Sequence, residues 1–235
     1  MISGRETNTV VYLADTVPLR APAVFDALLA SVSEDRRRKT ERLRFPQGKY
    51  LSLGAEYLLM LVCRDMGIEY TGLRLRTGDR GKPDFAELPM HFNLSHSGEA
   101  VMCAVSPLPV GCDIEAVRPY DPALVKRFFH PEESLFLENA SPEKQAELFT
   151  RLWTRKESFI KCTGDGFSRP IGSFCLLPPA DPNARDILAV PDGGMYAFRE
   201  IVPPAGYSCS VCLQLPEAGS EDISLTVRRV TITAP

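Results

Sequence analysis

Trp153-Thr154-Arg155-Lys156-Glu157-Ser158-Phe159-Ile160-Lys161 is the stretch on which the reading of this chain turns. It closes a long periodic segment in which Leu148, Phe149, Leu152, Trp153, Phe159 and Ile160 recur at helical spacing as one apolar stripe. Ser141-Pro142-Glu143 opens the segment with an N-cap serine and a proline at the first helical position. Gly164 and Gly166 end it, so the pattern predicts a helix running to about Cys162. Glu157 and Lys161 lie four residues apart, one turn from each other. At roughly 100° per residue both fall just beside the apolar stripe, at the rim of the buried face. Taken alone, the pair reads as an ordinary ion pair on a surface helix, worth about 0.2–0.5 kcal/mol.

Working toward the N-terminus, Val110-Gly111-Cys112-Asp113-Ile114-Glu115 alternates like a strand. Residues i and i+2 of a strand face one side, so Asp113 and Glu115 point the same way and Ile114 the other. Two carboxylates that close repel, which raises a pKa unless a cation sits between them. Such oxygen ligands suit Mg²⁺, which takes one or two carboxylates, waters and substrate phosphates. Alone, an Asp-x-Glu also fits a solvated edge strand.

Further upstream come Gly81-Lys82-Pro83 and Phe92-Asn93-Leu94-Ser95-His96-Ser97-Gly98. A strand that ends on Ser-His-Ser-Gly offers hydroxyls, an imidazole and free backbone N–H groups, which suit a phosphate. The Gly-x-Ser-x-Gly elbow is absent, so serine hydrolase chemistry is unsupported. His91 reads as structural, and His130, ahead of Pro131, reads as a cap on the preceding helix.

The remaining pattern mixes helices and strands without regular β-α-β alternation, which predicts an α+β fold. Strands are expected at Val10–Leu13, Leu73–Arg76, His91–Ser95, Ala100–Val105, Phe174–Leu177, Tyr196–Ile201, Tyr207–Leu215 and Ser224–Ile232. Helices are expected at Pro22–Ser31, Tyr50–Met66 with Gly67 as its stop, Leu124–Phe129 and from Glu132 on. Arg118-Pro119-Tyr120-Asp121-Pro122 breaks the pattern in mid-chain.

Composition bounds the function. Among 235 residues, 27 Lys and Arg face 30 Asp and Glu, a net charge of −3 that gives no global pull toward nucleic acid or an anionic membrane. The densest basic run, Arg36 to Arg44, fits a solvated helix face or a contact with an anionic ligand. No apolar stretch is long enough to span a bilayer, and Met1–Asp15 does not read as a signal peptide, so a cytoplasmic protein is expected. Seven cysteines do not suggest a disulfide framework. Cys209 and Cys212, three apart on a strand, point to opposite faces and read as core thiols.

Each signal is modest, but their order and spacing together are specific. Gly81-Lys82-Pro83, Phe92 to Ser97, Gly111 to Glu115, Arg127-Phe128-Phe129 and Trp153 to Lys161 in one chain resemble the 4′-phosphopantetheinyl transferase superfamily, in its large, monomeric, surfactin-synthetase-activating type. The motifs cover about Arg36 to Leu177. The resemblance implies two similar α+β halves with pseudo-twofold symmetry, residues 1–117 and 118–235, and an active site in the cleft between them. By position it implies Asp113, Glu115 and Glu157 as Mg²⁺ ligands and Ser95, His96, Lys156 and Lys161 as contacts to coenzyme A phosphates, with Lys82 near the adenosine end. Where the family carries a basic residue before the Ser/Thr that opens the long N-terminal helix, Leu51 precedes Ser52. Lys49 or the Arg36–Lys39 run is left to meet the 3′-phosphate. Cys112 stands where a branched apolar residue is common.

The implied reaction moves the phosphopantetheine arm of coenzyme A onto a serine of an acyl or peptidyl carrier protein and releases 3′,5′-ADP. Lys161 and His96 neutralise phosphate charge, and Glu157, or a water on the metal, takes the serine proton. Leu124–Phe129 is the expected landing surface for the carrier. Two other readings share these carboxylates: a Mg²⁺-dependent nucleotide pyrophosphatase, and a catalytically silent protein that binds coenzyme A or a carrier.

Overall fold

The computed structural model describes residues 7–78, 80–179, 186–190, 194–216 and 223–234. The chain opens with β1 (Thr7–Asp15), α1 (Pro22–Ser31), α2 (Glu34–Arg42) and the long α3 (Pro46–Asp65). A short hairpin, β2 (Leu75–Thr77) and β3 (Pro83–Phe85), leads to β4 (His91–Ser97), β5 (Ala100–Ser106) and β6 (Val110–Ala116). Then come α4 (Pro122–Phe128), α5 (Pro131–Glu138) and the long α6 (Pro142–Thr163). The strands β7 (Ile187–Ala189), β8 (Met195–Glu200), β9 (Tyr207–Leu215) and β10 (Ile223–Arg229) complete it.

Two four-stranded sheets result, ordered β10-β1-β5-β4 and β6-β9-β8-β7. Strand alternation stacks them into layers. Tyr12 and Ala14 of β1 turn to a core under α3 that includes Leu53, Leu58 and Val62. Val11 and Leu13 turn the other way, to meet Val110, Cys112 and Ile114 of β6 between the sheets. The outer face of the second sheet, with Phe198 and Cys212, packs on Phe159 and Cys162 of α6. The order is helix, sheet, sheet, helix, an α+β architecture in which each sheet carries one long helix. Cys209 lies in the core between the sheets and Cys212 in the core under α6, the opposite faces that their spacing on β9 requires.

The sheets do not divide at residue 117. β6, from the first half of the chain, pairs with β9. β10, from the second half, returns to run parallel to β1. Each sheet therefore borrows a strand from across the sequence midpoint.

Other differences have local causes. α3 begins at Pro46, four residues before Tyr50, because proline suits the first helical turn. Ser141 occupies the N-cap of α6 without a side-chain cap bond. His130 caps the helix that follows it, not the one before. Its ring accepts from Glu132 N–H, while Glu133 reaches back to the His130 N–H in a capping box. Phe174–Leu177 joins no ladder among the described residues. Its backbone is held by side chains instead: Lys156 Nζ and Arg155 Nε donate to the Phe174 and Leu176 carbonyls, and Leu176 N–H donates to Glu133.

Candidate active site

The seam between the sheets builds the site. β4 and β6 are edge strands of different sheets, and side chains bridge them where a backbone ladder would otherwise run. Asn93 Oδ1 accepts from Cys112 N–H at 2.9 Å, Ser95 Oγ from Ile114 N–H at 3.3 Å, and Ser97 Oγ from Ala116 N–H at 3.2 Å. Every second residue of β4 thus satisfies every second N–H of β6, an edge that would otherwise carry unpaired donors. The same hydroxyls aim the carboxylates. Ser95 donates to Asp113 Oδ1 at 2.7 Å and Ser97 to Glu115 Oε2 at 2.8 Å.

α6 supplies the other wall. Gly111 lets it approach: a Cβ there would fall 2.9 Å from Cys162 Cα and closer still to the Ser158 carbonyl oxygen and Cys162 N. Lys161 Nζ then reaches Asp113 Oδ1 at 2.6 Å and Ser95 Oγ at 3.0 Å. The other Asp113 oxygen, Oδ2, is buried and has no hydrogen-bond partner among the described residues. Burial pushes the Glu157 pKa up, the Asp113 and Glu115 charges push it further, and Lys161 offsets part of this. Glu115 is likewise raised by burial and by Asp113, against the Ser97 hydrogen bond. Burial disfavours the Lys161 ammonium, yet Asp113 and Glu157 hold its pKa above the ordinary lysine value.

These features meet the requirements of a hard divalent cation. Lys161 contacts Asp113 and its charge also bears on Glu115 and Glu157, one buried Asp113 oxygen lacks a partner among the described residues, and burial first, then like-charge repulsion, raises the pKa of Glu115 and Glu157. Carboxylate oxygens such as those of Asp113, Glu115 and Glu157 are the donor chemistry that suits Mg²⁺.

Two clefts flank this centre. One of about 270 Å³ is lined by Gly81, Lys82, Asn93, Glu157 and Lys161. The other, about 460 Å³, is lined by Arg36, Lys39, Ser52 and His96. Ser95 and His96 are neighbours in sequence but face opposite sides of β4, Ser95 toward Asp113 and His96 toward α2 and α3. Arg36 and Lys39 line the cleft with His96, and Lys49 is not among its lining residues. Local desolvation in the cleft and the Lys161 charge hold the His96 pKa below its usual value, although the residue as a whole stays exposed.

Two lysines differ from expectation. Lys156 is fully buried; its Nζ pairs with Glu133 at 2.8 Å and donates to the Phe174 carbonyl at 2.7 Å. It is a core cation on the far side of α6 and does not reach the carboxylates. Lys82 borders the smaller cleft, but its Nζ donates to the Val110 and Cys162 carbonyls at 2.9 and 3.3 Å, tying the glycine loop to both β6 and α6. Arg118 is a cation that sequence reasoning passed over. It lies over the Trp153 and Phe149 rings at 4.6 and 5.2 Å, and its charge lowers the pKa of both Glu115 and Glu157. His91 is structural, with Nδ1 2.7 Å from Asp84 Oδ2.

Comparison with known proteins places this geometry in context. Residues 109–212, which contain β6, α6 and the first part of β9, match the family model described as the 4′-phosphopantetheinyl transferase superfamily. The chain is similar to a 4′-phosphopantetheinyl transferase of Bacillus subtilis, 34% identical over 82% of this chain and 86% of that protein. It is similar to 4′-phosphopantetheinyl transferase Sfp of Bacillus subtilis (strain 168), 32% identical over 85% and 89%. It is similar also to 4′-phosphopantetheinyl transferase gsp of Aneurinibacillus migulanus, 33% identical over 80% and 79%.

Proposed function

The chain belongs to the 4′-phosphopantetheinyl transferase superfamily, and from that premise we propose how its own side chains carry the 4′-phosphopantetheine of coenzyme A to a serine of an apo carrier protein. The observation that carries the proposal is Asp113. One of its oxygens is gripped by Ser95 from the first sheet and Lys161 from α6, the other is buried and unpartnered among the described residues, and the Asp113 and Glu115 charges both act on Glu157.

Asp113, Glu115 and Glu157 would hold Mg²⁺, which when bound supplies positive charge to the pyrophosphate of coenzyme A. Lys161 adds a further cation on the same side. Arg36, Lys39, Ser52 and His96 take the 3′-phosphate in the larger cleft, and the Gly81–Pro83 loop borders the adenosine end. The carrier serine hydroxyl attacks the β-phosphorus, the bond from that phosphorus to its bridging oxygen breaks, and 3′,5′-ADP leaves. The serine proton passes to a Glu157 carboxylate oxygen, whose raised pKa suits a proton acceptor. Ser95 and Ser97 orient the carboxylates and leave phosphate binding to the cations.

The carrier docks beside α4, where Lys126 and Arg127 are exposed, and Leu135 and Phe136 of α5 add exposed apolar area. Val125 and Phe129 are buried and hold α4 in place. A single chain supplies both walls of the cleft, so we take the enzyme to act as a monomer. No helix among the described residues is long and apolar enough to cross a membrane, in keeping with a cytoplasmic enzyme.

The test is a mass measurement. The protein is incubated with coenzyme A, Mg²⁺ and a panel of apo carriers from fatty-acid, polyketide and nonribosomal-peptide systems. At least one carrier gains one phosphopantetheine mass. No gain on any of them, or release of phosphopantetheine without a carrier, would overturn the assignment.

A further inference from the structure

On the side of α6 away from the transfer site, three donors of different chemistry come together. A ring nitrogen of His130, a Glu132 carboxylate oxygen and Cys175 Sγ all lie within 4.8 Å of one another. They come from separate segments, the start of α5 and the stretch after α6. One buried carboxylate holds these segments side by side. Glu133 accepts from His130 N–H at 2.9 Å with one oxygen and from Leu176 N–H at 2.7 Å with the other. Lys156 neutralises Glu133, and it also grips the carbonyl of Phe174, the residue before Cys175. The donor backbones are thus fixed by buried hydrogen bonds, the support a metal site needs beyond its ligands.

We propose that His130, Glu132 and Cys175 form a Zn²⁺ site, distinct from the Mg²⁺ carboxylates. The donor set is one imidazole, one carboxylate and one thiolate, which selects zinc over magnesium, whose ligands are oxygens. The positive end of α5 alone would repel a cation. Glu132 and a Cys175 thiolate together bring two negative charges, enough to balance a divalent ion, and the Glu133 charge is already met by Lys156. Tetrahedral zinc bonded at about 2.0–2.3 Å needs its ligand atoms about 3.5 Å apart. Glu132 is exposed, so its side chain can swing to close the remaining gap. Three protein ligands leave the fourth position to water, and zinc takes the ring lone pair of His130 that otherwise accepts from Glu132 N–H at 3.4 Å. Zinc here would lock α5 to the 174–177 segment and, through Glu133 and Lys156, brace α6 one residue from Glu157.

The test uses the full, reduced, metal-free chain titrated with Co²⁺, because a thiolate on cobalt gives a near-ultraviolet charge-transfer band. Binding by Asp113, Glu115 or Glu157 does not produce that band. Of the seven cysteines six are buried and only Cys175 is partly open, so the band is assignable. We expect the charge-transfer band to report one Co²⁺ per chain, to be lost on zinc addition, and Tm to rise with zinc. Cys175→Ser should remove the band. Glu132→Gln and His130→Asn, the latter keeping a helix-capping side chain, should each weaken zinc at least tenfold while the metal-free Tm stays within a few degrees. Absence of the band, its survival in Cys175→Ser, or unchanged zinc affinity in Glu132→Gln and His130→Asn would overturn the site.

Discussion

Gly111→Ala is the substitution that bears most directly on how the halves of the site are brought together. A methyl group there would press on backbone on two sides, the Ser158 carbonyl oxygen and the Cys162 nitrogen and Cα, the last at 2.9 Å. Ordinary van der Waals contact begins near 3.5 Å, so α6 must retreat by about 1 Å. Forcing a methyl into a packed core costs about 1–3 kcal/mol, and more where only backbone can yield. We therefore expect a loss of about 3 kcal/mol, which in a chain of this size lowers Tm by roughly 6–12 °C. The same retreat carries Glu157 and Lys161 away from Asp113, and a misplacement of that size can cost about 10²-fold in rate. The assay pairs urea and thermal melts with kcat/KM for carrier modification. Gly48→Ala is the control for the melts, because its Cβ would meet nothing closer than Leu43 Cδ1 at 3.8 Å; it borders the larger cleft and is therefore compared by Tm alone. In the first turn of α3 that change should leave Tm at or slightly above the parent value. If Gly111→Ala melts within 2 °C of the parent and keeps activity within threefold, the close approach is not what assembles the site.

Three further outcomes follow from the geometry. Lys156→Ala leaves Glu133 charged and unpaired in the core, which should cost about 3–5 kcal/mol, seen as a large fall in Tm with KM for coenzyme A unchanged in the folded enzyme. A stable variant with a raised KM would return Lys156 to the phosphates. Asp84 is pushed up by burial, but the His91 ring and Arg76 outweigh this and hold its pKa below the ordinary 3.8. Its contribution, about 1 kcal/mol, is therefore full above pH 4 and lost as pH falls through the lowered value. Asp84→Asn should be less stable than the parent at pH 7, with the gap closing toward pH 2 in urea melts. His96→Ala should raise KM for coenzyme A at least tenfold and leave KM for 3′-dephospho-coenzyme A nearly unchanged; equal effects on both would remove His96 from the 3′-phosphate.

Much of this was legible in local patterns. The period of two placed Asp113 and Glu115 on one face of β6, and the period of 3.6 put Glu157 and Lys161 at the rim of α6. The same wheel held a warning about Lys156. It lies four residues after Leu152 and three before Phe159, in the middle of the apolar stripe, so its burial was readable. Its partner Glu133, on another helix, was not. The β4 seam was invisible for a physical reason. Asn93, Ser95 and Ser97 act as hydrogen-bonding substitutes for backbone, and nothing in a strand's own sequence names the edge it will meet. β10 beside β1 is hidden in the same way, since parallel pairing across most of the chain leaves no local mark. Phe174–Leu177 reads as a strand because it is apolar, but its partners are the side chains of Arg155, Lys156 and Glu133.

The central claim is that Asp113 and Glu115 on β6 and Glu157 on α6 together hold the divalent ion that transfer requires. Single-turnover modification of a carrier, read by mass against free Mg²⁺ in the parent and in Glu157→Gln, tests it most directly. Transfer in the parent should vanish in EDTA and return with Mg²⁺. Glu157→Gln should fold with an unchanged or higher Tm, because it relieves like-charge repulsion, yet transfer at least 10²-fold more slowly at any Mg²⁺ concentration. Parent activity that persists in EDTA, or a Glu157→Gln protein with parental Mg²⁺ dependence and rate, would contradict the account.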